Sequence, residues 1–540
     1  MPTRRPNILL VILDTLRRDR LSHYGADRPT SPRFDEFASD SVTFTRAVAP
    51  AQWTVPSHTS MFTGLYPSEH GVTQSNSVLS GMQPTLAELL RGGGYHTVAF
   101  CNNPLVGVLN HGLTRGYDRF YNYASAIPDR PYDHELNPLY HEFTRRFRPT
   151  ARKIGNWFAH SDTAFRVALH PMFVPLWAKW INFKGNTAVS IDDLIRYWKD
   201  HTAGTIPHRT GDDRPLFAFL NLMGAHTPYQ PPLDFLNKIA PEVKNDKRAF
   251  AFMRHFNADG AAWAAPPEKP LEPWQINTLN AFYDAEIAYQ DHQLGRLLEF
   301  LHASGELENT VVIIAADHGE MHGEHDYFGH GFSVHQELVH VPLVIRTPDT
   351  PPKQIDTNVS TRRLFHTILD FAGVDPLLPP DDPNARVRDL SLAGVLHGDY
   401  DGEGNTAFSE AVPPMLFVHV LEHRSPAVIE RLRLRDVRRT IYDGDLKLMT
   451  VGDGDDLHVE ALYNVADDPA EANPLPAEEN SLPKSSPLAM QDDLARVKAL
   501  KKKLAAFAGA AVLNDAEEST AREVDDAAVM AQLRALGYMD

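Results

Sequence analysis

Short apolar runs constrain the fold of this chain more than any other feature of its sequence. The first run, Ile8 to Leu13, contains no polar residue. Such uninterrupted runs are typical of strands that are buried on both faces of a parallel sheet. Similar runs recur at 96–100, 216–222, 311–316 and 341–345. We therefore predict a buried strand at each of these places.

Helical segments are predicted between the apolar runs. Ser31-Pro32 indicates the start of one helix, and Thr85 the start of another that the glycines at 92–94 end. A third helix is predicted by leucines with the spacing i, i+3, i+4, i+7: Leu294, Leu297, Leu298 and Leu301. Strands that alternate with helices predict an α/β fold, here a three-layer sandwich whose large, mostly parallel sheet carries helices on both faces.

Length, charge and cysteine content restrict the class of protein. A chain of 540 residues exceeds one compact core and predicts a large domain with smaller additions. The formal net charge of −18 disfavours nucleic acid as a partner. The single cysteine, Cys101, excludes an intrachain disulfide and favours a reducing compartment. The first apolar run is too short for a signal peptide or a membrane span, so we predict a cytoplasmic protein.

Polar residues follow three of the predicted strands. Asp14 follows the first strand, His226 comes after the strand at 216–222, and Asp317-His318 follow the strand at 311–316. The carboxyl ends of parallel strands lie at the same edge of a sheet, which is where ligands bind in such folds. We therefore expect these side chains to meet at one site.

The segment from Gln52 to Gly64 is typical of a turn that leads into a short helix. Pro56 fits the first turn, and Gly64 fits the end of the helix. Thr54 is predicted at the N-cap, beside free backbone N–H groups that favour an anion. A threonine in this place usually only caps the helix, but its hydroxyl could also ligate a metal and attack an ester.

The same segment resembles the signature of the sulfatase family. In that signature Cys or Ser, a spacer, Pro, Ser or Ala, and Arg lead into a helix that ends in Thr-Gly. The matching residues are Thr54, Pro56, Ser57, Thr63 and Gly64, and the match continues through 66–71. Thr54 departs from the Cys or Ser that becomes formylglycine, and His58 stands at the Arg position. A threonine at this position resembles the nucleophile of phosphodiesterases and phospho-group transferases in the alkaline phosphatase superfamily. This resemblance implies phosphorus rather than sulfur chemistry.

A second motif, Asp317-His318-Gly319-Glu320 and its continuation to His330, resembles the metal-binding segment of the superfamily. Asp14 fits the N-terminal metal ligand, although Thr15 fills a place where many sulfatases have a second Asp. The resemblance implies one divalent metal ion, for which we favour Mn²⁺ or Zn²⁺ and keep Mg²⁺ and Ca²⁺ as alternatives. The implied ligands are Asp14, Thr54, Asp317 and His318. His322, His325 and His335 form no clear second set.

Two histidines are predicted to take part in catalysis. His226, in Ala225-His226-Thr227-Pro228, resembles the family's segment that carries a catalytic histidine. His330 matches the position where related proteins keep a His or Lys facing the transferred group. Imidazoles titrate near neutral pH and suit proton transfer. His58 and Asn103 are predicted to bind substrate, although Asn103 lies in a stretch where sulfatases carry a Lys.

The resemblance also suggests a domain organisation. Residues 1–395 are predicted to form the catalytic domain, with a helical, aromatic-rich insertion at about 121–212. We interpret this insertion as a subdomain with its own core rather than as a substrate lid or a membrane-surface patch. Residues 396–475 resemble the small C-terminal α+β subdomain of sulfatases, and 476–540 are predicted to be a helical or partly disordered tail.

The function implied by the resemblance is hydrolysis of a small-molecule phosphate ester, mono- or diester, with Thr54 as nucleophile and one metal ion. Three alternatives stay open. The chain could be a sulfuric ester hydrolase that works without formylglycine, a phospho-group transferase, or a non-catalytic binding protein that retains the fold.

Overall fold

A computed structural model of the chain describes residues 5–124, 127–132, 183–206, 211–263, 269–376, 387–398, 401–454, 457–476 and 495–507, with isolated residues between 142 and 174 and at 384. Within these residues a nine-stranded sheet forms the centre of the molecule. The strands of this sheet are β1 (Asn7–Leu13), β2 (Val42–Val48), β3 (His96–Cys101), β4 (Arg119–Asn122), β5 (Leu216–Leu222), β6 (Thr310–Ala315), β9 (His340–Arg346), β10 (Lys353–Ile355) and β11 (Val359–Ser360). A hairpin of β7 (Met321–His322) and β8 (Phe328–Gly329) lies between β6 and β9 in the chain.

The strand order is β10-β2-β9-β6-β1-β5-β3-β4, with β11 beside β2. All five predicted strands are confirmed, as β1, β3, β5, β6 and β9. The sheet is mostly parallel, as predicted, and β9 runs antiparallel to both β2 and β6. A strand that is buried on both faces has the same composition in either direction, which is why the sequence did not reveal this.

Helices cover the sheet. They are α1 (Pro32–Ser39), α2 (Thr54–Thr63), α3 (Pro67–His70), α4 (Leu86–Gly92), α5 (Pro104–Gly107), α6 (Thr187–Thr202), α7 (Leu233–Ile239), α8 (Lys247–Ala258), α9 (Pro273–Ala303), α10 (Gln336–Val339), α11 (Leu364–Ala372), α12 (Val387–Leu390) and α13 (Leu392–His397). One group packs around α9 and another around α11. The α/β class is confirmed, and α9 extends far beyond the four predicted leucines.

Helix starts follow their predicted caps. Pro32 begins α1, and the side chain of Thr85 accepts a hydrogen bond from the backbone N–H of Glu88 at the start of α4. Such caps satisfy N–H groups that have no partner inside the helix. The core follows the apolar runs, since every residue of β1 is buried. Cys101 is buried and free.

A second, antiparallel sheet forms the small C-terminal subdomain. Its strands, in order, are β12 (Thr406–Ala411), β13 (Arg438–Asp443), β14 (Leu446–Val451) and β15 (His458–Asn464), and α14 (Met415–Arg424) and α15 (Pro426–Leu432) lie between the first two in the chain. Residues 495–507 are helical, and Leu500 and Leu504 pack against Ile441 and Leu448 of this sheet. The described part of the tail therefore completes the core of the subdomain.

The aromatic-rich middle of the predicted insertion lies outside the described residues, as do Trp157, Phe158, Phe173, Trp177 and Trp180. Its described flanks include β4 and α6. The predicted domain bounds and the interpretation of the insertion stay predictions. Of the helices in the described ranges, none combines the length and the apolar composition that crossing a membrane requires.

Candidate active site

Two carboxylates and an imidazole meet at the carboxyl end of the central sheet. Asp14 follows β1, and Asp317 and His318 follow β6. The strands β1 and β6 are parallel neighbours in register, so their ends coincide. One ligand atom from each of the three residues lies within 4.8 Å of the others, and all three side chains are buried. Of the predicted ligands, these three therefore form one cluster.

Asp317 has one carboxylate oxygen that is satisfied and one that is not. Its Oδ1 accepts hydrogen bonds from the backbone N–H groups of Thr15 at 3.1 Å and His318 at 2.9 Å. Its Oδ2 is buried without a hydrogen-bond partner. Burial would raise the pKa of Asp317, but the neighbouring imidazoles of His318 and His58 hold it well below its usual range. This oxygen lies 3.3 Å from Nδ1 of His58 and 3.4 Å from Nε2 of His318. A buried, ionised oxygen without a well-formed hydrogen bond is expensive, and a bound cation fits it.

His318 presents one ring nitrogen to the cluster. Its Nδ1–H donates to the carbonyl of Gly319 at 2.8 Å, which leaves Nε2 with a free lone pair. Burial lowers the pKa of His318, so the ring is neutral at pH 7. Nε2 lies 3.3 Å from Oγ1 of Thr54. A neutral imidazole together with two carboxylates is a donor set that suits a divalent metal ion.

Asp14 is held by three polar side chains. Its Oδ1 accepts from the hydroxyl of Thr15 at 2.9 Å, and its Oδ2 accepts from the amides of Asn103 at 2.7 Å and Asn221 at 3.1 Å. Thr15 occupies the position where many sulfatases have a second Asp. It does not offer a carboxylate ligand there but donates hydrogen bonds to the carboxylates of Asp14 and Asp317. Asn221 was not among the predicted site residues. The available signal was a single amide near the carboxyl end of the otherwise apolar strand β5.

Thr54 is the first residue of α2, and Trp53, with an extended backbone, is the N-cap. The predicted N-cap position of Thr54 is therefore wrong by one residue. Because Thr54 does not cap the helix, its hydroxyl is directed at His318. The start of α2 is fixed to the end of β6 by Ser57, whose Oγ donates to the carbonyl of Asp317 at 2.7 Å. As predicted, the helix ends at Gly64, whose φ of 76° suits glycine.

His58 lies beneath the cluster, fully buried. Its Nδ1 lies 3.0 Å from the carbonyl oxygen of Thr54 and 3.3 Å from Oδ2 of Asp317. Its Nε2 lies 3.3 Å from the amide nitrogen of Asn221. His58 and Asn103 were predicted to bind substrate, whereas their described contacts support the carboxylates. Their role toward substrate stays a prediction.

The two predicted catalytic histidines lie side by side, with ring centroids 5.2 Å apart. Nδ1 of His330 lies 2.9 Å from Oε1 of Glu320, and its ring is 4.6 Å from that of His318. Burial opposes protonation of His330, but Glu320 raises its pKa above the ordinary value. Burial and then His330 lower the pKa of His226 to about 4. His330 is therefore the more readily protonated member of the pair.

The hydrogen bond of His226 fixes its tautomer. Its Nδ1 lies 2.6 Å from the carbonyl oxygen of Thr227, so Nδ1 carries the hydrogen and Nε2 is an acceptor. Glu320, for which no role was predicted from the sequence, has the opposite effect on His330. Its carboxylate engages Nδ1 of His330 and favours the protonated ring, in which Nε2–H is a donor. The two rings therefore offer one acceptor and one donor.

A second group of metal-ligand types, His325, His335 and Glu471, lies where the two subdomains meet. The rings of His325 and His335 stack with their centroids 3.9 Å apart and 8° between their planes. Their lone pairs therefore lie in two parallel planes and do not converge on one ion. The Glu471 carboxylate accepts from Nζ of Lys447 at 2.5 Å and from the backbone N–H of Gln336 at 3.1 Å. This group joins the C-terminal sheet to the catalytic domain.

Comparisons with known proteins identify the family of the chain. The family model described as Sulfatase matches residues 6–374. The N-acetylglucosamine-6-O-sulfatase of Bacteroides thetaiotaomicron is 25% identical over 446 residues, which are 75% of this chain and 72% of that protein. The uncharacterized sulfatase YidJ of Escherichia coli K12 is 23% identical over 483 residues, which are 83% of this chain and 87% of that protein.

A solved structure has the same fold. The phosphonate monoester hydrolase of Agrobacterium radiobacter superposes with a TM-score of 0.57 at 23% sequence identity, covering 92% of this chain and 96% of that chain. Because the family model covers more than half of the sequence and includes Asp14, Thr54, Asp317 and His318, the family is established independently of this likeness. The chain belongs to the sulfatase family of the alkaline phosphatase superfamily, whose members are metal-dependent hydrolases.

Proposed function

We propose that this protein hydrolyses a small-molecule phosphate ester, mono- or diester, with Thr54 as the nucleophile and a divalent metal ion at the Asp14 cluster. One observation supports the proposal most. Oγ1 of Thr54 lies 3.3 Å from Nε2 of His318, beside two buried carboxylates. The formylglycine of sulfatases is made from Cys or Ser, so Thr54 is expected to act as an unmodified hydroxyl.

The metal is proposed to be bound by Asp14, Thr54, Asp317 and His318. The unpartnered Oδ2 of Asp317 and the lone pair on Nε2 of His318 support this assignment. Mixed oxygen and nitrogen donors favour Mn²⁺ or Zn²⁺ over Mg²⁺ or Ca²⁺. Such an ion would supply Lewis acidity at the site and lower the pKa of the Thr54 hydroxyl.

In the proposed first step, Oγ1 of Thr54 attacks phosphorus in line. A bond forms between Oγ1 and phosphorus, and the bond to the leaving alkoxide breaks. The Nε2–H of His330 protonates this oxygen, because Glu320, in contact with Nδ1, raises the pKa of His330 and favours the cationic ring. The proton displaced from Thr54 leaves to solvent. The products are an alcohol and a phosphothreonine ester.

In the proposed second step, water attacks the phosphothreonine. His330, now neutral, takes a proton from the water, so that one residue serves first as acid and then as base. Nε2 of His226 accepts a hydrogen bond from the same water and orients it. The bond between phosphorus and Oγ1 breaks, and Thr54 is restored when it regains a proton.

A sulfuric ester is the second candidate substrate, because relatives such as the N-acetylglucosamine-6-O-sulfatase carry that activity in their names. Rates on an aryl phosphate, an aryl phosphodiester and an aryl sulfate, with Mn²⁺ or Zn²⁺ supplied, test the two. We expect a phosphate ester to be turned over fastest. A sulfate ester that reacts faster than both would contradict the proposal.

Two further alternatives have separate readouts. A phospho-group transferase would form a new ester when an acceptor alcohol is added, whereas a hydrolase releases the phosphate product to water. A binding protein without catalysis would take up no metal and turn over no substrate. Product analysis and metal analysis of the purified protein distinguish both from the proposed hydrolase.

A further inference from the structure

Gln52 joins three parts of the protein through one side-chain amide. It is fully buried and lies two residues before Thr54 in the chain. Its Nε2 donates to the carbonyl of Gly331 at 3.1 Å and to the carbonyl of Val412 at 2.9 Å. Gly331 follows His330 directly, and Val412 follows β12 of the C-terminal subdomain. One amide therefore connects the segment of Thr54 to that of His330 and to the second sheet.

The orientation of this amide is fixed by its partners. Both groups opposite Nε2 are carbonyl oxygens, so the reversed amide would place three oxygens together and is excluded. In the observed orientation Oε1 of Gln52 is buried and has no hydrogen-bond partner. Most buried acceptors in proteins are hydrogen-bonded, so the contacts of Gln52 are concentrated on its Nε2. The arrangement therefore favours a role in holding its two partners.

The C-terminal subdomain is firmly attached around this point. Ala51 forms a parallel bridge with Glu410 of β12, whose backbone N–H donates to the carbonyl of Pro50 at 3.0 Å. On the other side, Nζ of Lys447 in β14 donates to the carbonyl of Val334 at 2.7 Å. The second sheet thus contacts both the segment before Thr54 and the segment after His330.

From these contacts we propose that Gln52 is a positioning residue, which sets the distance between Thr54 and His330 and uses the C-terminal subdomain as its third anchor. The inference rests on the proposed function, in which Thr54 attacks and His330 protonates the leaving group. Gln52 itself touches neither substrate nor metal in this proposal. Its effect is transmitted through the backbone carbonyl of Gly331.

The test replaces the amide with an apolar side chain of similar length, Gln52→Met. The matched control is Gln74→Met. Gln74 donates to the carbonyl of Pro413 at 3.0 Å and accepts from the backbone N–H of Met415 at 2.9 Å, so it contacts the same subdomain one residue further along. The control therefore loses comparable contacts to the C-terminal subdomain without a contact to Gly331.

We expect Gln52→Met to lower kcat for an alkyl phosphodiester by about tenfold or more, since small misplacements of reacting groups are costly. The loss should be smaller for a nitrophenyl ester, whose leaving group needs no proton, and KM and metal content should stay near wild type. Amide hydrogen exchange at 331–336 should accelerate in Gln52→Met and stay unchanged in Gln74→Met. A general loss of stability would lower the rates on both esters equally.

Equal kinetics of the two variants, or unchanged exchange at 331–336 in Gln52→Met, would overturn the inference. If Gln52→Met does not fold, Gln52→Asn shortens the side chain by one methylene, keeps an amide and is expected to show the same leaving-group dependence. Failure of the proposed function has a different signature, because the wild type would then turn over no phosphate ester, or Thr54→Ala would stay active. The exchange comparison tests the connection between the segments independently of that activity.

Discussion

Oγ1 of Thr54 and Nε2 of His318 lie 3.3 Å apart, although 264 positions separate the two residues in the chain. Two elements create this proximity: α2 begins at Thr54, and β6 ends just before Asp317. The hydroxyl therefore lies at the edge of the cluster, where it could serve both as a ligand and as a nucleophile. Several consequences of this arrangement can be measured.

Removal of the hydroxyl should abolish turnover. For Thr54→Ala we expect the rate on the best phosphate ester to fall by at least about 10³-fold, because the nucleophile is lost while the fold is kept. Thr54→Ser keeps a hydroxyl and should retain measurable activity. Initial rates, with circular dichroism to verify folding, provide the test. A fully active Thr54→Ala protein would refute the nucleophile assignment.

Loss of one carboxylate should empty the metal site. Asp317→Asn keeps the shape of the side chain but removes the charge of the unpartnered oxygen, so we expect bound metal to fall from about one ion per chain to well below it. Asp445→Asn, at an exposed ion pair with Arg46, is the control and should bind metal normally. Elemental analysis measures the metal. Chelation should lower the melting temperature of the wild type but not that of Asp317→Asn.

Asn221 should affect metal affinity without being a ligand. Its amide donates to Asp14, so Asn221→Ala should weaken metal binding by about 10- to 100-fold, as changes in residues that orient ligands do. The control is Asn7→Ala, since Asn7 lies at the opposite end of the sheet and accepts from the backbone N–H of Leu216. Competition with a chromophoric chelator gives the affinities. Equal affinities of the two variants would show that Asn221 does not orient Asp14.

His330 and His226 should differ in their dependence on the leaving group. His330→Gln removes the proposed acid, so rates on alkyl esters should fall more than rates on nitrophenyl esters, whose leaving groups are stable anions. His226→Leu removes an acceptor and should slow both kinds of ester to a similar extent. The ratio of kcat values on matched substrates measures the difference. The reverse pattern would exchange the roles of the two histidines.

Stability should depend on pH through Glu324, which pairs with buried Arg17 at 2.6 Å. Burial opposes ionisation, but Arg17 lowers the pKa of Glu324 to about 2, below the value of about 4.5 of a free side chain. The stabilisation is therefore complete above pH 4.5, and it is lost as the pH falls toward 2. Glu324→Gln should cost less at pH 4 than at pH 7, by about 1 kcal/mol.

Urea unfolding at the two pH values checks this expectation. Glu430→Gln is a suitable control, because Glu430 is highly exposed in its pair with Arg435 and should contribute little at either pH. A Glu324→Gln protein that is destabilised equally at pH 7 and pH 4 would show that the ion pair does not control this part of the acid dependence.

Local sequence patterns predicted the buried strands and the centre of the site. The apolar runs predicted β1, β3, β5, β6 and β9, because burial on both faces of a sheet demands such composition. The polar residues after β1 and β6 predicted that Asp14 meets Asp317 and His318, because the carboxyl ends of parallel strands lie at the same edge of a sheet. The fold and the centre of the site were therefore accessible without coordinates.

Contacts between distant segments were not accessible. The role of Asn221 depends on β5 lying next to β1 in register, and that of Gln52 depends on β12 reaching the start of α2. Amides are common in both loops and strands, so neither residue carried a local signal strong enough to assign a partner. Thr15 was interpreted as the loss of a ligand, because its two hydrogen bonds to carboxylates require the folded geometry.

The helix at 495–507 covers an apolar face of the C-terminal sheet that is formed by earlier parts of the chain. Until these residues have been synthesised, the apolar face of the C-terminal sheet around Ile441 and Leu448 remains uncovered. Phe507 also stacks on Phe408 of β12 and packs edge-on against Tyr66, close to the segment of Thr54. A nascent chain that ends before this helix therefore contains every proposed catalytic residue but leaves the second sheet without part of its apolar core.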